Sequence, residues 1–217
     1  MVRIPAAQER LGLSEGPLGI ALLGGVLGVL LGAPSAGWLV TRLGSRPVVG
    51  TSALLVSLVL LPLALASNLP LLVATLLLAG VSAGTLDASM NSQAVAVEKG
   101  YGRPIMSSFH AAFSLGGLAG AASGGFVASP GISVLPHFSL VAALSLIATI
   151  VAYQALLPTN AAEGGTTFAR PTRALTGLGI ISFGVLLGEG AMADWSAIYL
   201  RGTLETGSGF AAGYAAF

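Results

Sequence analysis

The run Pro17-Leu-Gly-Ile-Ala-Leu-Leu-Gly24-Gly-Val-Leu-Gly28-Val-Leu-Leu-Gly32-Ala-Pro34-Ser-Ala-Gly37-Trp-Leu-Val40 contains no charged residue. A hydrocarbon core about 30 Å thick is crossed by about 20 apolar residues in helical form, so this run is long enough to span a bilayer. Five similar stretches follow at 48–67, 69–96, 104–128, 136–157 and 174–200, and another apolar run opens near Gly207 and continues to Phe217. Helices suit such spans because their backbone groups pair within the segment. The pattern predicts an all-α, multi-pass membrane protein with six complete transmembrane helices and the start of a seventh.

Composition supports this: 54% of residues are hydrophobic and 8% charged, whereas a soluble domain carries about 25% charged residues. A formal net charge of +1, with basic residues no denser than isolated pairs, excludes nucleic acid as a partner. Arg42 and Arg46, Lys99 and Arg103, and Arg170 and Arg173 fall in alternate loops, leaving Arg3, Arg10 and Arg201 for the opposite side. The positive-inside rule makes the first set cytoplasmic. Cysteine is absent, which removes disulfide and thiol chemistry. This orientation places Met1 outside, yet MVRIPAAQERLGLSEG has no apolar core of a signal peptide. A further helix upstream is therefore expected. The similarity of Val2-Arg3 and Leu11-Gly-Leu-Ser-Glu-Gly16 to Leu200-Arg201 and Leu204-Glu-Thr-Gly-Ser-Gly209 points the same way, to an internal repeat.

Gly24, Gly28 and Gly32 recur every fourth residue, as do Gly116, Gly120 and Gly124. Each set lines one helix face and permits close backbone approach. Packing within one monomeric bundle is expected from it. Pro34 and Pro62 lie inside spans, where each deletes a backbone hydrogen bond and can kink the helix. The polar segment 158–173, PTNAAEGGTTFARPTR, reads as a cytoplasmic linker that divides the chain into 1–157 and 174–217.

After the first span the sequence runs Gly37-Trp-Leu-Val-Thr41-Arg42-Leu-Gly44-Ser-Arg46-Pro47. It resembles the loop Gly-x-x-x-Asp-Arg-x-Gly-Arg-Arg of the major facilitator superfamily, with matches at Gly37, Arg42, Gly44 and Arg46 and Thr41 in place of the acidic residue. Two arginines in a short loop can grip carbonyl ends and acidic partners on neighbouring helices and so latch one conformation. A simple positive-inside anchor is the other reading. The resemblance covers essentially the whole chain. It implies twelve helices in two six-helix halves with solute bound at the midplane; residues 1–157 would supply helices two to six, and 174–217 helix seven and the start of helix eight.

In the third span Gly80, Gly84, Asp87 and Asn91 lie on one small, polar face. A carboxylate at mid-membrane costs about 2.5–3.5 kcal/mol on insertion scales and therefore marks a partner or a water-filled path. A low dielectric favours its protonated form, as proton coupling requires. Asp87-Ala-Ser-Met-Asn91 and Ser107-Ser-Phe-His110-Ala-Ala-Phe-Ser114-Leu-Gly-Gly117 also resemble the fourth and fifth helices of fucose-permease-like symporters. His110 can relay a proton or bond a solute hydroxyl, or simply bond a neighbouring helix. In the sixth span Glu189 is flanked by glycines and shares a face with Ser196, a place where a helix can open its backbone to a binding site. Asp194 and Trp195 lie towards the outer interface, where solvation and an aromatic belt explain them as readily. Gly188-Glu189-Gly-Ala-Met-Ala-Asp194-Trp195-Ser196 resembles helix seven of a bacterial branch of the superfamily.

Gly80-Val-Ser82-Ala-Gly84 fits the Gly-x-Ser-x-Gly pattern of serine hydrolases, but that elbow needs a strand turning into a helix. Ser82 with His110 leaves an intramembrane hydrolase as a minor alternative. No phosphate-binding loop or metal cluster is present in the sequence, and no cofactor is called for. The expected function is secondary transport of a small solute, coupled to protons, by alternating access in the bacterial inner membrane. Sugar-like symport is favoured over drug or metabolite export, because aromatics make up only 6% of the chain. An inactive fragment is the remaining alternative.

Overall fold

A computed structural model describes residues 3–128, 132–158 and 172–205. Among them the chain forms eight helices and no strand: α1 Ile4–Leu11, α2 Glu15–Leu43, α3 Ser45–Leu58, α4 Leu60–Leu65, α5 Leu69–Tyr101, α6 Met106–Ala128, α7 Val134–Ala155 and α8 Arg173–Gly202. Five stretches are long and apolar enough to cross a membrane: α2, α3 with α4, α5, α7 and Leu175–Leu200 of α8. The remaining expected span is α6, 23 residues long, in which glycine, serine and His110 dilute the apolar side chains. The expected linker and the apolar run after Gly207 lie outside the described residues, apart from the linker's ends.

Local chemistry sets the boundaries. Asn68 caps α5, its Oδ1 accepting from the Leu71 N–H at 2.9 Å, and Thr172 caps α8 through Leu175 at 3.4 Å. Gly44 adopts φ 80°, and its N–H donates to Val40 O at 2.9 Å; the positive φ turns the chain from α2 into α3 without a connecting loop. The two prolines behave differently. Pro34 is carried within the unbroken α2, whereas Pro62 has no N–H for the Leu58 carbonyl one turn earlier, and the span divides into α3 and α4 at Val59.

The chain forms two compact units, Leu11–Ala111 with Val134–Thr167, and Met1–Arg10 with Ala112–Ser133 and Phe168–Phe217. In the first, α2 and α5 run parallel and form a seam. A Cβ on Gly24 would lie 3.0 Å from Val73 O, and one on Gly84 2.8 Å from Val29 O. At Gly28, Gly32 and Gly80 an added Cβ would collide with the backbone of Leu77, Val81 and Gly25 respectively. Thr85 Oγ1 donates across the seam to Gly32 O at 3.2 Å. The outer end is closed by Ala21, Ala66 and Leu72, with Leu63, Leu69 and Leu76 packed around them. Another face of α2 leaves Leu23, Leu27, Leu30 and Leu31 exposed. In the second unit α8 is exposed along most of its length, with Ala197 buried.

The two glycine sets thus differ. Gly28, Gly32 and Gly80 are in backbone contact, while Cβ atoms on Gly116 and Gly120 would meet nothing within 4 Å. Gly80→Ala is expected to destabilise the protein by about 1–3 kcal/mol through overpacking. Gly116→Ala should be neutral or stabilising by up to about 1 kcal/mol, from helix propensity. Denaturant titration in detergent distinguishes the two.

Candidate functional site

Beyond Gly84 the same face of α5 carries polar residues. Asp87 is exposed and Asn91 half-buried, one turn beyond Gly84. Asn91 Nδ2 donates to Asp87 O at 2.9 Å and to Asp87 Oδ1 at 3.3 Å. A Cβ on Gly37, on the α2 side, would meet nothing within 4 Å. The four-residue spacing, which packs glycine on glycine higher up, here leaves a carboxylate and an amide paired with each other and open. Asp87 is 18 residues from Leu69, the start of α5, or about 27 Å of helix. It therefore lies in the C-terminal half of α5.

His110 and Ser114 are exposed on α6, and among the described residues no hydrogen bond or ion pair joins His110 to Asp87. Glu189 is exposed on α8, Asp194 half-buried and Trp195 exposed. Glu189 stands 14 residues from Leu175, the start of the apolar part of α8, about 21 Å and close to the middle of that helix. Ser196, on the Glu189 face, donates its hydroxyl to Met192 O of its own helix. Asp87 and Glu189 belong to different compact units.

The Gly37–Arg46 segment lies at the end of the first unit where α2 passes into α3. Arg46 Nη2 donates to Tyr153 O at 3.4 Å near the end of α7, and its guanidinium lies 4.8 Å from the Tyr153 ring centroid. Gly50 makes room for that ring, which would lie 2.7 Å from a Cβ. Arg42 instead sits 4.4 Å over the ring of Trp38, one turn earlier on its own helix. Thr41, where the superfamily pattern carries an acid, donates its hydroxyl to Trp38 O at 2.8 Å.

Two polar anchors of this end have no counterpart in the reading of the sequence. Gln93, only 4% exposed, donates through Nε2 to Ser45 Oγ at 2.9 Å and Leu157 O at 2.9 Å, and accepts from the Leu157 N–H at 3.1 Å. One amide ties the start of α3, the middle of α5 and the chain just beyond α7. Glu98 Oε2 accepts from the Ile105 and Met106 N–H groups, each at 2.8 Å, placing a negative charge at the start of α6 where the helix dipole favours it. A lone glutamine in an apolar stretch was a visible cue, but its carbonyl and hydroxyl partners left none.

The family model that matches residues 1–217 is the Major Facilitator Superfamily. The chain belongs to that superfamily. It is 36% identical to an uncharacterised MFS-type transporter of Yersinia pestis, over 99% of this chain and 56% of that protein. It is also 36% identical to an uncharacterised transporter of Sinorhizobium fredii, over 99% and 58%, and 30% identical to membrane protein MosC of Rhizobium meliloti, over 91% and 48%. The chain thus spans about half the length of these relatives. Membership makes it part of a helical, multi-pass transporter family and not an enzyme family. The Gly-x-Ser-x-Gly match has its own local explanation: Ser82 is 2% exposed and its hydroxyl donates to Leu78 O at 2.8 Å within α5, so it packs a helix.

Gln93→Leu removes the amide that the Leu157 N–H and C=O bond to. A loss of about 1–3 kcal/mol is expected, together with faster hydrogen exchange at residues 153–157 than in the parent protein. Glu98→Ala should cost about 0.5–2 kcal/mol, with the faster exchange appearing at residues 105–108 instead.

Proposed function

We propose that this chain forms part of a proton-coupled secondary transporter for a small polar solute, working by alternating access in the bacterial inner membrane. The observation that carries the reading is the Asp87–Asn91 pair, an exposed carboxylate held by a neighbouring amide within an otherwise apolar helix. Asn91 holds Asp87 Oδ1, which leaves the carboxylate its second oxygen for a proton or a solute hydroxyl. Protonation neutralises the group and lowers the cost of carrying it through a dry conformation; deprotonation restores a charge that must be hydrated. Glu189, near the middle of α8, has the same chemistry at a different depth. His110 and Ser114 add hydrogen-bonding capacity on α6, and Asp194 and Trp195 do so towards the outer end of α8. Gly37, Arg42, Gly44 and Arg46 act as the conformational loop, with Arg46 fastening α3 to α7.

A membrane potential of 100 mV contributes about 2.3 kcal/mol per proton, enough for about fiftyfold accumulation in a one-to-one symporter. Symport of a hydroxylated solute fits side chains that pair by hydrogen bonding, as Asn91 does with Asp87. We take the protein to be monomeric, because its close-packed glycines are used within one unit.

The test is transport by the protein in vesicles under an imposed pH gradient. Inward movement of a sugar-like solute with protons is expected. Asp87→Asn and Glu189→Gln should each abolish gradient-driven accumulation while leaving membrane insertion and solute exchange at equal pH intact. Unchanged accumulation in both variants would overturn proton coupling through these groups, and proton-driven extrusion would reverse the direction assigned.

A further inference from the structure

The Gly37–Arg46 loop carries more positive charge than its surroundings neutralise. Arg42 and Arg46 flank the Gly44 turn, four residues apart, and among the described residues neither has a carboxylate within ion-pair distance. Arg42 is exposed and rests on Trp38, itself 43% exposed. Arg46 has one long contact to Tyr153 O, and its Nε is buried without an acceptor. The start of α3 between them has no side-chain cap, so its first N–H groups add to the positive potential. The nearby acid, Glu98, already accepts from two N–H groups at the start of α6. Thr41, where a carboxylate would neutralise Arg42 internally, has its hydroxyl turned back to Trp38 O.

We propose that this loop binds the phosphate headgroup of an anionic phospholipid in the cytoplasmic leaflet, with Arg42 and Arg46 as its cationic ligands and Trp38 as the platform that holds Arg42 at the interface. The occupant follows from position. The loop joins two membrane-spanning helices directly, so its arginines lie where hydrocarbon gives way to headgroups, and an exposed tryptophan one turn inside belongs at that boundary. A lipid phosphate supplies the countercharge that the described residues lack, and its acyl chains cover the exposed leucines of α2. A second arginine–aromatic pair, Arg103 at 5.1 Å from the Tyr101 ring, lies elsewhere: Tyr101 is eight residues past Gln93, the residue level with Ser45, or about 12 Å further along α5. It serves as an internal control for charge alone.

The experiment is native mass spectrometry of the purified protein released from nanodiscs of mixed phosphatidylcholine and phosphatidylglycerol, with affinity measured by lipid titration. Retained phosphatidylglycerol is expected. Arg42→Gln should weaken it about fivefold, from the attraction of one cation near a charged surface. Thr41→Asp should weaken it at least as much by supplying the countercharge from within, without deleting a side chain. Arg103→Gln should leave it within about twofold. Equal losses for Arg42→Gln and Arg103→Gln would overturn a defined site in favour of diffuse charge. Equal retention of phosphatidylcholine, or equal occupancy by soluble glycerol phosphate in detergent, would overturn the anionic lipid as ligand.

Discussion

The structure of the first unit depends on two backbones touching. Between α2 and α5 there is no layer of interdigitated side chains; Gly24, Gly28 and Gly32 face Val73, Leu77, Gly80 and Val81, and the peptide groups lie in contact. Lipid tails are as apolar as leucine, so no hydrophobic force gathers the helices, and close packing with an occasional hydrogen bond such as Thr85 to Gly32 must do so. The same constraint explains the distribution of large side chains. Leucines crowd the exposed side of α2, and small residues hold the side that packs on α5.

This seam also fixes where polar chemistry begins. Where glycine faces glycine the helices leave no room between them; the hydroxyls of Thr75 and Ser82 are absorbed by carbonyls of their own helix, and that of Thr85 is shared between Val81 O and Gly32 O. Beyond Gly84, Ser89 and Ala94 remain buried, while Asp87 is exposed and Asn91 half-buried. Further along, Gln93, Ser45, Leu157, Arg46 and Tyr153 fasten α3, α5 and α7 into one inner end. Along α5 the carboxylate thus lies between the glycine seam and the polar clasp at Gln93.

Membership of the Major Facilitator Superfamily and the loop of Gly37, Arg42, Gly44 and Arg46 agree, but the loop departs from the family pattern in a way that changes its physics. With Thr41 in the acidic position, Arg42 turns to an aromatic ring and Arg46 to a carbonyl. Among the described residues the loop's cations are held by neutral partners.

Length and polarity determined much of this protein without any tertiary information. About 20 apolar residues make a span whatever they touch, Gly44 permits a turn with positive φ, and Pro62 withholds a donor from Leu58 on any backbone. These are local properties, so the all-helical membrane architecture, the helix ends and the family loop were legible from the residues alone. Partner choice was not. Gly24, Gly28 and Gly32 have the same spacing as Gly116, Gly120 and Gly124, yet the first set meets α5 while Gly116 and Gly120 meet nothing nearby. Gln93 finds Leu157, 64 residues away, through a backbone carbonyl that any residue would carry. Spacing says which side chains share a face; which face meets another, and which is left open at Asp87, depends on how helices distant in sequence come together, and only the packed structure decided it.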